Sequence, residues 1–81
     1  MSKYQATNND MPKEAAIYGD VYMFYQRFYK GENTDEYWEA VIEASGELER
    51  KHGRDPLLVS LLLAVLTDLE HPERRLKRYE K

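Results

Sequence analysis

The chain contains no cysteine, and in a protein of 81 residues that absence removes three things at once. A disulfide framework, a cysteine-ligated zinc and thiol catalysis are all excluded. A reducing compartment is compatible with this, and the expected location is the cytoplasm. Also missing are a glycine-rich phosphate loop and a serine in a nucleophile-elbow motif. The longest apolar run, Leu57 to Leu66, is ten residues interrupted by Ser60. Spanning a bilayer takes about 20 residues, so no membrane association is expected. The opening stretch MSKYQATNNDMPKE holds nothing apolar enough for a secretory signal.

What is present is 42% hydrophobic and 33% charged, in 9.6 kDa. A chain of this length forms one core and one domain, burying about 60% of its unfolded surface, so the core is expected to be marginal. The net charge of −3 is unevenly divided. Residues 1–30 sum to +1, residues 31–49 carry seven acids and no base, and residues 50–81 sum to +3. The middle and the end of the chain thus have opposite signs.

Three organisational segments follow. Residues 1–11 are polar and read as a disordered tail. Residues 12–71 read as a helical bundle, and residues 72–81 as a basic segment forming a short helix or fraying. Pro12 suits the first position of a helix. From Ala15 to Tyr29 the residues Ile17, Tyr18, Val21, Tyr22, Phe24, Tyr25, Phe28 and Tyr29 share one arc of about 160°. Gly19 weakens this helix by about 1 kcal/mol relative to alanine, which favours a start after it, and Gly31 suits a left-handed cap.

The second helix is expected to be capped by Asn33 or Thr34, with Asn33 and Glu36 approximating a capping box. Tyr37, Trp38, Val41, Ile42, Ala44 and Leu48 form its apolar arc, with Ser45 and His52 inside it. Gly53 stops it, and Arg50, Lys51 and His52 complement the negative end of its dipole. Asp55 and Pro56 open a third helix. Its residues Leu57 to Leu69 are apolar around most of the wheel, leaving Ser60, Ala64, Thr67 and Asp68 as a narrow remainder. Such a helix is expected to be the buried, central one. His71-Pro72 breaks it, and a last helix would rest on Leu76 and Tyr79. The expected fold is all-α, a small three-helix bundle with or without a short fourth C-terminal helix.

Three features bear on function. Tyr18, Tyr22, Tyr25 and Tyr29, spaced 4-3-4, edge the first helix. They either cover the border of the core with their hydroxyls in water or contact a protein partner or a second copy of the chain. Glu39, Glu43 and Glu47 continue from Asp35 at i, i+4, where like charges repel. Lys51 is the helical partner expected for Glu47. This row is either a solvated face, with or without the basic tail folded back across it, or a dock for a basic, DNA-handling partner. Arg74, Arg75, Lys77 and Arg78 form a basic tail of the kind that binds phosphate backbones. A pI near 5.3 and the absence of a recognition-helix pattern disfavour nucleic acid.

Glu49 and His52 have the i, i+3 spacing of di-iron bundles, but those sites need two such motifs and two more glutamates. Asp68 and His71 match the second only in form, so no metal and no cofactor is expected. The acids lie on a solvent face where nothing raises their pKa values, and no enzymatic activity is expected.

The aromatic first helix, the Thr34-Asp35-Glu36-Tyr37-Trp38 opening of the second and the leucine-rich run from Leu57 to Leu69 carry a resemblance. Over residues 16–70 the chain resembles short helical proteins encoded on prophages and conjugative elements of Gram-positive anaerobes. The resemblance implies a helical fold and a bacterial, mobile-element setting, with no active residues to carry over. The expected function is that of a non-enzymatic interaction or accessory protein. Modulation of a basic, DNA-handling partner is second, and nucleic-acid binding through the tail third.

Overall fold

Proline begins each of three helices in the computed structural model, which describes residues 11–80. The elements are α1 (Pro12–Phe28), α2 (Asp35–Lys51), α3 (Pro56–Glu70) and α4 (Pro72–Tyr79). Pro12, Pro56 and Pro72 occupy first-turn positions, where a missing N–H leaves no carbonyl unpaired. The fold is an all-α bundle, as the periodicity predicts. Residues 1–10 of the expected tail lie outside the described residues.

Helix α1 starts at Pro12 and runs through Gly19 without interruption, so the earlier of the two expected starts is the one that forms. Its exposed Gly19 is carried by the burial of Ile17, Val21, Phe24 and Phe28 along one stripe. Gly31 is not left-handed; among the described residues Gly53 is the glycine with positive φ. What position 31 requires is the absence of a side chain. The Tyr37 ring lies where its Cβ would be, and the Tyr37 hydroxyl donates to the Phe28 carbonyl at 2.6 Å. The α1–α2 turn is thereby fixed by an aromatic ring lying against a bare backbone.

Thr34 is the cap of α2, its Oγ1 accepting from the Tyr37 amide at 3.1 Å. Asn33 instead accepts from the Trp38 indole N–H, so the expected capping box does not form. At the other end, Gly53 donates to the Arg50 carbonyl and Arg54 to that of Glu49, with both residues left-handed. These two bonds satisfy carbonyls that the helix end would orphan.

The core contains Ile17, Val21, Phe24, Phe28, Val41, Ala44, Leu58, Leu62 and Leu69. Helix α3 touches all three other helices and is central in that sense. It is not buried all round, however, because Leu63 is 60% exposed beside Ser60, Ala64 and Thr67. A small bundle has too few neighbours to cover every side of one helix. Ile42, at the margin of the α2 arc, is exposed for the same reason. Ser45 is buried and bonds the Ile42 carbonyl at 2.8 Å. Among the described residues no helix is long and apolar enough to cross a membrane.

Candidate interaction surface

Two ionic seams flank α1, one on each side of its buried stripe. On the first, Asp20 accepts from Lys51 at 2.9 Å and contacts the His52 Nε2 at 2.7 Å. The His52 bond and then the Lys51 bond hold the Asp20 carboxyl below the usual aspartate range. The residues expected only to complement the α2 dipole therefore join α2 to α1. Lys51 is engaged by Asp20 rather than by Glu47, because the tertiary carboxylate approaches it from the neighbouring helix.

The second seam is centred on Asp68. Its carboxylate accepts from the Tyr25 hydroxyl at 2.9 Å and from Arg78 at 2.6 Å, with Arg75 at 3.6 Å. Arg75 also donates to the Asp68 carbonyl at 3.0 Å, satisfying a group in the last turn of α3. Burial pushes the Asp68 carboxyl up, but the bonds from Arg78 and Tyr25 and the charges of both arginines leave it lowered. The same arrangement raises the Tyr25 hydroxyl, by burial first and by the adjacent carboxylate second.

This seam sets where α4 lies. No residue of α4 is buried, and Leu76 and Tyr79, expected to anchor it, are 71% and 82% exposed. The helix is held by Arg75 and Arg78 instead, and its packing is against α3. The basic tail therefore does not fold across the acidic face of α2. Between α4 and the tyrosine edge of α1 lies an open groove of about 380 Å³, lined by Tyr22, Tyr25, Gln26, Tyr29, Arg75, Leu76 and Tyr79.

The four predicted tyrosines have separate roles. Tyr25 is partly buried against the core and forms the floor of the groove, its ring stacked on that of Tyr29 at 5.7 Å. Tyr22 and Tyr29 stand exposed on its wall, at 60% and 37%. Tyr18 is exposed and outside the lining. Glu39, Glu43 and Glu47 are exposed on α2, and no ion pair among the described residues involves them. Arg74 and Lys77 are exposed on α4, while Arg75 and Arg78 are engaged by Asp68.

Sequence reasoning placed Asp68 in the narrow remainder of the α3 wheel, gave it no partner on α1 or α4, and so missed the centre of the seam. The signal was there: Asp68 is the one charged residue between Leu57 and Leu69, and a proline break then returns four bases toward it. Among the described residues no group of three metal-ligating side chains converges. No protein family, curated protein or solved structure matches the chain.

Proposed function

We propose that this is a small non-enzymatic interaction protein whose docking surface is the aromatic groove between α1 and α4. The observation that carries the reading is the continuity of Tyr22, Tyr29, Leu76 and Tyr79, four large apolar side chains exposed side by side around a partly buried tyrosine. Contiguous apolar surface of this kind marks interaction sites, whereas scattered single residues do not. Tyrosine suits the role because it offers large area and a polar tip at little entropic loss. Cytoplasmic location and a mobile-element setting accompany the reading, from the absence of cysteine and from the resemblance of residues 16–70.

The exposed Glu39, Glu43 and Glu47 favour a second reading, in which the acidic face occupies a basic, DNA-handling protein. One experiment separates the two. Crosslinked capture from source cells is compared for the wild type, Tyr22→Ser with Tyr79→Ser, and Glu39→Lys with Glu43→Lys and Glu47→Lys. The groove reading expects the partner to be lost with the tyrosine pair and kept with the glutamate triple. The opposite pattern would replace it with the acidic-face reading.

A further inference from the structure

Resting on the groove as a docking surface, we infer that its occupant is a short amphipathic helix of another protein, flanked by carboxylates. The length of the site sets the shape of the occupant. Tyr22 to Tyr29 is seven residues of helix, about 10 Å at 1.5 Å per residue. A helix laid along that edge presents apolar anchors at i, i+3 or i+4, and i+7, the pattern by which helices fill apolar grooves.

Charge sets the flanks. The lining contains one cation, Arg75, and no carboxylate. Lys30 stands over the Tyr29 ring, 5.5 Å from its centroid, at one end of the groove. Arg78 lies on the α4 side with its side chain 52% exposed. Asp68, the carboxylate bonded to the Tyr25 floor, is only 16% exposed and is shared between two guanidiniums, so the charge that the lining itself presents is positive. Carboxylates beside the partner's apolar face meet Lys30 and Arg78, and lysines in the same places would be repelled.

The same facts weigh against the other occupants. A second copy pairing groove to groove would bring Lys30, Arg75 and Arg78 against their own counterparts. A single-stranded nucleic acid would find aromatic platforms, but the chain is acidic overall, with a net charge of −3.

The test uses the full chain and three probes followed by fluorescence anisotropy. They are a labelled helical peptide of about 14 residues with leucines at the groove spacing and glutamates beside them, its lysine-flanked twin, and an oligothymidylate of similar length. The glutamate peptide is expected to bind roughly ten-fold tighter than the lysine peptide, with an advantage that shrinks as salt is raised. Amide shifts should fall at residues 22–29 and 75–79, and binding should be lost in Tyr22→Ser with Tyr79→Ser. Both positions are exposed, and circular dichroism checks that the variant keeps its helices. Equal binding of the two peptides, abolished by the tyrosine pair, overturns the acidic partner and leaves the docking surface standing. Failure of both peptides, while the captured partner still depends on those tyrosines, does the same. Peptide binding indifferent to the tyrosine pair overturns both readings. Tighter binding of the oligonucleotide assigns the groove to nucleic acid. A dimer in sedimentation that the tyrosine pair dissolves assigns it to a second copy.

Discussion

Gly31 is held so near the Tyr37 ring that a Cβ would overlap its Cε1 and Cδ1 atoms. The ring cannot withdraw freely, because its hydroxyl bonds the Phe28 carbonyl and its face meets Phe28 and Trp38 edge-on. Gly31→Ala is therefore expected to destabilise the protein by about 1–3 kcal/mol, the usual penalty for overpacking a tight contact. Urea unfolding measures it, and loss of no more than a few tenths of a kcal/mol would show that the turn can open. Read from sequence, this glycine suits a left-handed cap, since a glycine after a helix has that role most often. Nothing local in the sequence announces that a ring six residues later will lie against it.

At the scale of the helix, α3 shows how a strong apolar pattern overstates burial. Leu58 and Leu62 are fully enclosed, and Leu63, one residue further on, faces outward. Leu58→Ala is expected to cost about 2–5 kcal/mol, a large share of the total stability of a domain this size. Leu63→Ser should change stability by no more than about 0.5 kcal/mol, as surface substitutions do. A pair of denaturation curves tests this, and equal losses would mean that the outer side of α3 is covered. The caps of α2 and α3 and the proline start of α3 were legible because they depend on residues within one turn. The position of α4 was not, because an eight-residue helix with bases on several sides can be docked by its apolar or its charged face. Here the charged face docks, on the carboxylate that α3 supplies where the chain returns.

For the molecule as a whole, two aspartates fasten α1 to its neighbours, Asp20 toward α2 and Asp68, through Tyr25 and the arginines, toward α3 and α4. Both carboxyls lie below the ordinary aspartate range in the folded protein. A group so depressed adds stability above its unfolded pKa and loses it as the pH falls through the folded value. Acid is thus expected to loosen both seams below about pH 3.9, the ordinary aspartate value. Glu73, lowered first by its backbone hydrogen bond and then by His71, acts in the same direction at the start of α4. Asp68→Asn should release α4 at neutral pH for a loss of about 1 kcal/mol. Amide exchange over residues 72–79 should then accelerate while the α1–α2 seam keeps its acid transition. Unchanged protection of α4 in the variant would show that the helix is held by something other than the carboxylate.

The helix pattern, the stop at Gly53 and the core residues of α1 followed from spacing and capping chemistry, which act over three or four residues and are written out in order along the chain. The tyrosine edge was legible in the same way, as a row on one helix. Which tyrosine would be floor and which wall depended on where α3 and α4 came to rest. So did the partners of Asp20 and Asp68, whose contacts join residues 32 or 31 apart and 43 or 10 apart in sequence. Pairings at that distance are selected when helices pack and partly buried carboxylates must find donors. The uneven charge seen at the outset acquires a physical meaning only then: part of the basic end is neutralised by Asp68, and the acidic row on α2 is left facing away from the bundle.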